Sequence, residues 1–179
     1  MLPNPLHPAI VHFPIVLAVG LPLMAITALV LIWRGKQPAH AWRPVVLVAF
    51  ALAASAWIAV ETGQREEDTV EDVVAGSAIH EHEEAAEVFL PLTFVALGLV
   101  GLGLFRGQVG RVARPLSTGA AIILLGFGAR VGASGGELVY EHGAASAYVS
   151  GGTQRSDESD RGEARRERRE RDEHERGGS

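Results

Sequence analysis

Histidine is the residue type with the widest chemical range in this chain. Seven are present among 179 residues, and there is no cysteine. Imidazole is the commonest neutral metal ligand and a usual axial ligand of b-type haem, and it exchanges protons near neutral pH. The missing thiols exclude disulfides, thiolate metal sites, cysteine nucleophiles and covalent attachment of c-type haem. His12 and His82 are the first candidates for a ligand pair, with His142, His7 and His80 in reserve. Glu137 and Glu141 are placed to orient an imidazole from behind. Arg130 lies deep in an apolar run. It is expected to face inward and pair with Glu61, Glu137 or an anionic group such as a haem propionate. His80 and His82, two residues apart on a helix, point about 200° apart and cannot readily serve one centre.

Other chemistry is poorly represented. The paired Glu-x-x-His pattern of diiron bundles is absent. So are a Gly-rich phosphate loop, a Ser–His–Asp order and a His-Glu-x-x-His motif. The chain reads as an electron carrier or accessory protein rather than an enzyme.

The elements that must position these residues are four apolar runs. Their approximate spans are 9–33, 44–60, 88–105 and 116–140. About 20 apolar residues cross the hydrocarbon of a bilayer, and none of the runs shows the polar face of a soluble core helix. The expected fold is all-α: an integral membrane four-helix bundle over residues 1–145. The first run has no basic leader and is too long for a signal-peptide core, so it reads as a retained span. Pro14 has no N–H to offer Ile10, which should loosen the chain near His12. Between the second and third runs, Val70, Val73, Val74, Ala78, His82, Ala85 and Phe89 keep a helical spacing that places His82 on the apolar stripe.

Composition hides this plan. The whole chain is 47% hydrophobic and 21% charged, an ordinary soluble average. Residues 151–179 alone hold 8 Arg and 9 Asp or Glu, and nothing apolar larger than Ala164. That stretch cannot bury a core, so 146–179 reads as a disordered polyampholyte tail. Its mixed charge argues against a nucleic-acid-binding arm.

Loop charge sets an expected orientation. Arg34, Lys36 and Arg43 follow the first run, and Arg106, Arg111 and Arg114 follow the third. The connection between runs two and three is strongly acidic. Short basic loops stay in the cytoplasm. Both termini, the acidic connection and five histidines (His7, His12, His80, His82 and His142) then fall on the outer side of a bacterial inner membrane. Trp33 and Trp42 would form an aromatic belt at the inner side. The tail arginines argue the other way, but they begin only at Arg155 and are interleaved with acids.

Gly128, Gly132 and Gly136, preceded by Gly119 and Gly126, form a small-residue stripe suited to close helix contact in lipid. Ala49 with Ala53, Ser55 with Ala59, and Gly98 with Gly101 and Gly103 offer the same. Such stripes also suit close approach to a flat cofactor. A homo-oligomer is a separate expectation.

The opening Leu6-His7-Pro8-Ala9-Ile10-Val11-His12-Phe13-Pro14-Ile15 resembles the signature of a bacterial membrane family known as domain of unknown function 2231. Thr62-Gly63 after the second run, His80-Glu81-His82-Glu83, and the segment Gly136 to Gly143 fit the same pattern. The resemblance covers about residues 1–145 and implies a four-helix membrane protein. Related domains accompany c-type cytochromes and Rieske proteins, which implies respiratory redox partners. The first expectation is therefore a redox component holding b-type haem, or another His-ligated metal, near the outer face. A cofactor-free accessory subunit is the second, and a small transporter or channel the third.

Overall fold

A computed structural model describes residues 10–70 and 76–141, with the backbone alone for 66–70. His7, His142, His174 and the charged tail lie outside the described residues. Four helices make up the fold: α1 His12–Trp33, α2 Pro38–Val70, α3 Gly76–Leu102 and α4 Gly107–Tyr140. All four are long and apolar enough to cross a membrane. The helical structure runs well beyond the apolar spans of α2, α3 and α4. The Thr62-Gly63 pair therefore lies within α2 rather than after it, where Thr62 Oγ1 donates to Ile58 O.

The α1–α2 and α3–α4 connections are tight. After α1, Gly35 takes φ +88°, with its N–H on Ile32 O at 2.9 Å and Lys36 N–H on Leu31 O at 3.0 Å. This is a Schellman stop, which needs a residue without Cβ strain at that position. Short turns force antiparallel neighbours, and the helices form a ring: α1 packs on α2 and α4, and α3 packs on α2 and α4.

Pro14 falls in the first turn of α1, where a backbone N–H has no helical acceptor in any case. Each helix also carries one interior proline: Pro22, Pro44, Pro91 and Pro115. Membrane helices tolerate these where neighbours re-satisfy the freed carbonyls.

The interior follows an alternating three- and four-residue spacing. On α1 the buried positions are Pro14, Ala18, Leu21, Ala25 and Ala28, with Pro22 beside Leu21. On α2 they are Trp42, Val45, Ala49, Leu52, Ala56 and Ala59, with Ala53 beside Leu52. That is a seven-residue repeat, the seam of a left-handed bundle. Most of these inward residues are small. Many large ones point out: Val16, Leu47, Phe50, Ile123 and Leu116 are all more than half exposed in the single chain. A water-soluble bundle would bury its large apolar residues. Small inside and large outside is the distribution that lipid permits and water does not.

The glycines sort by the same repeat. A Cβ at Gly128 would stand 3.2 Å from the Phe89 ring and 3.5 Å from Ala18 Cβ, so α4 meets both neighbours there. Gly119, Gly126, Gly132 and Gly136 have nothing within 4 Å of a Cβ. The four-residue stripe is thus not the contact line. Gly128 and Gly135, seven apart, are.

Candidate functional site

The two ends of the bundle differ chemically. One gathers the α1–α2 and α3–α4 turns with Arg34, Lys36, Arg43, Arg106, Arg111 and Arg114. The other gathers the start of α1, the end of α2, the start of α3 and the end of α4, with His12, Glu61, His80, His82 and Glu137.

At the acidic end, His82 is the histidine built into the structure. It sits half-buried on the apolar side of α3, beside buried Ile79, Ala85 and Phe89. Its ring lies over Gly135 of α4, where a Cβ would come within 3.1 Å of Cε1. Nδ1 is 3.0 Å from Ser134 Oγ. Ser134 Oγ in turn donates to Val131 O at 3.1 Å. With the hydroxyl proton directed to that carbonyl, Ser134 accepts from His82 Nδ1–H; with it directed to the ring, Ser134 donates to Nδ1. In the first arrangement the proton sits on Nδ1 and the basic nitrogen is Nε2. A hydrogen bond behind one ring nitrogen fixes both the tautomer and the aim of the other, as in metal-ligating and proton-accepting imidazoles.

The other candidates are arranged differently. His12 and His80 are exposed in the single chain. His80 faces away from His82, as their spacing predicts. The axial level of His12 can be read from the Ala18–Gly128 contact. It lies six residues before Ala18, close to the level of Ser134, which lies six after Gly128. His12 and His82 thus share a level but sit on α1 and α3, which occupy opposite corners of the ring. Among the described residues, no group of three His, Asp or Glu is set to hold a metal ion.

Arg130 departs from expectation. It is exposed on the outward side of α4 rather than turned into the bundle, and it has no acidic partner among the described residues. Glu61 is engaged by Arg65 one turn along α2, at 3.6 Å. Glu137 is two turns along α4 from Arg130, about 10 Å of rise, and is exposed. Glu141 closes α4, its N–H on Glu137 O at 2.9 Å, and its side chain is also exposed.

The basic end holds a polar knot that sequence reasoning missed. Trp42 is not an interfacial belt residue: it is fully buried, and its indole N–H donates to Val100 O at 2.8 Å. Trp33 alone of the pair is exposed, at 86%. Trp42 fits because residue 103 is glycine; a Cβ there would overlap the indole. Arg114 is buried as well. Its Nε donates to Gly103 O at 2.8 Å and its Nη2 to Phe105 O at 3.2 Å. Three carbonyls at the end of α3 are therefore taken by side chains from α2 and α4. A guanidinium at a helix C-terminus also meets the negative end of the helix dipole. On the same side, Leu31, Lys36, Gln37, His40 and Ala41 line a shallow cleft of about 480 Å³. His40 thus sits at the opposite end from His82.

Fold and site together define a polytopic membrane protein: a four-helix bundle with one basic end and one acidic, histidine-bearing end. The chain belongs to the family of predicted membrane proteins called DUF2231, which it matches over residues 3–147. That match takes in all four helices and stops at the charged tail. No curated protein and no solved structure matches the chain.

Proposed function

We propose that this protein is a multi-pass component of the bacterial inner membrane whose histidine-bearing end faces outward, and that His82 is the group there that does chemistry. The observation that carries the reading is the Ser134 contact. It fixes the ring in the seam between α3 and α4, and the Ser134 Oγ–Val131 O bond favours the Nδ1–H tautomer, in which Nε2 is the basic nitrogen. Such a nitrogen is suited to ligating b-type haem iron or another metal, or to taking up a proton during electron transfer. His12 lies at the same level on another helix and is the second ligand candidate. His7 and His142, outside the described residues, complete the candidate set. Respiratory redox proteins are the proposed partners. The basic end, with Arg34, Lys36, Arg43, Arg106 and Arg111, supports an inward orientation of those turns.

A second reading has its own support. His82 also ties α3 to α4, which is what a cofactor-free accessory subunit would ask of it. A reduced-minus-oxidised optical spectrum with metal analysis of the detergent-purified protein separates the two. A haem or metal signal that His82→Ala removes and His40→Ala keeps supports the redox reading. No chromophore and background metal, in protein made with haem and metals available, refutes it and leaves the accessory role.

A further inference from the structure

The outward face of α4 carries a second seven-residue repeat that nothing in the single chain uses. Gly119, Ile123, Gly126, Arg130, Ala133 and Glu137 follow the same alternating spacing as the interior, and all are exposed. Arg130 stands among them with no acidic partner among the described residues. Its level follows from Gly128, which touches Ala18 of α1. Arg130 is level with Val16, four residues or about 6 Å inside the start of α1. That level is the edge of the apolar spans, where a guanidinium reaches toward the headgroups and a carboxylate at the same level can pair with it.

The bundle itself supplies such a partner, on the outer face of α3. Three contacts fix the register of α3 against α4: Gly103 with Arg114, Phe89 with Gly128, and His82 with Gly135. The steps between them are fourteen and then seven residues on both helices. Two residues from Phe89 is Glu87, and two residues from Gly128 is Arg130. These opposite charges lie at one level, both exposed, each turned about 200° from a residue that faces the bundle interior and so directed out of the bundle. Seven residues further out, His80 is level with Glu137. Towards the basic end, Pro91 is level with Gly126, and Gly98 with Gly119. All of these are exposed.

We propose that a second copy of this chain covers these faces, as a two-fold dimer with its axis along the membrane normal. Copies in one membrane share an orientation, so only residues at equal depth can meet. A two-fold rotation about the normal sets α3 against the partner's α4 and α4 against the partner's α3, antiparallel as within the chain. The interface is isologous and closes. Glu87 meets the partner's Arg130 twice, and His80 meets the partner's Glu137 twice. Glycine at positions 98, 119 and 126 lets the helices approach closely. This proposal is independent of any role for His82.

The test uses the full chain in lipid vesicles, with self-association read by energy transfer between two labelled populations. Glu87→Arg and Arg130→Glu each set like charges together at both contacts and should weaken self-association roughly tenfold or more. Mixed, the two variants restore opposite charges at both contacts, so they should associate as heterodimers at the wild-type level. A rescue of this kind cannot arise from misfolding of either variant. Disulfide trapping is the second readout, in a chain with no native cysteine. Differently tagged Glu87→Cys and Arg130→Cys chains should form a cross-linked heterodimer. A wild-type chain that stays monomeric, single reversals that associate normally, or a mixture without rescue would each overturn the proposal.

Discussion

Gly103 gives the sharpest mutational test of the packing. A Cβ at this position would lie 2.7 Å from Trp42 Cε2 and 2.8 Å from Cδ1. The indole cannot simply turn aside, because it is fully buried and held by its bond to Val100 O. Gly103→Ala therefore overpacks a closed site, at about 1–3 kcal/mol. It also drives the indole N–H off its carbonyl, which leaves buried polar groups unsatisfied at about 1–3 kcal/mol more. The two costs overlap, so the net loss expected is about 2–4 kcal/mol. Gly101 is the internal control: it is two residues away on α3, and nothing lies within 4 Å of its Cβ position. There the same change gains helix propensity and should stabilise by about 0.5–1 kcal/mol. The assay is reversible unfolding in mixed micelles of increasing denaturing-detergent fraction, followed by helicity. Opposite signs at 103 and 101 are predicted. Equal and benign effects would refute the placement of Trp42.

Other substitutions probe separate parts of the account. Arg114→Met removes the donors to Gly103 O and Phe105 O and should lower stability by about 2–4 kcal/mol in the same assay. Gly128→Leu should separate α4 from α1 and α3 and cost at least about 2 kcal/mol, whereas Gly132→Leu, with open space at its Cβ, should cost under about 1 kcal/mol. Ser134→Ala leaves His82 in place but takes away the hydrogen-bond partner of Nδ1. If His82 ligates a metal, affinity measured by competition with a chelator should fall about 10–100-fold, and Ser134→Thr should preserve most of it.

Much of the fold can be read from the sequence because four apolar runs of membrane-spanning length admit few other structures. The ends of α1 and α4 follow directly, since Trp33 and Tyr140 close their apolar runs. The ends of α2 and α3 do not, because Glu61 to Val70 and Gly76 to Glu87 continue as polar helix past the apolar windows. His82 is legible on the apolar side of α3, as its helical spacing from Ala78, Ala85 and Phe89 predicts. Ser134 and Gly135 are not found by looking for glycines four apart. The informative spacing is seven, from Gly128 to Gly135 and from Phe89 back to His82. The side on which Arg130 emerges follows from the same repeat, since it lies two residues past a seam position. Trp42 and Arg114 resemble loop-end residues by type. Only the contact across three helices shows them buried, and the nearest clue in sequence is the Gly103 and Gly110 pair. A Cβ at Gly110 would meet Phe105 O and Arg114 Nη2.

The central claim is that two chemically distinct ends of one four-helix bundle lie on opposite sides of a membrane. Side-specific labelling of single cysteines tests it most directly, and the chain has no native cysteine to interfere. His80→Cys and His40→Cys are both exposed positions, one at each end. In intact spheroplasts, a membrane-impermeant maleimide should label position 80 and leave position 40 unlabelled until the membrane is broken. Labelling of both from the same side would contradict the account.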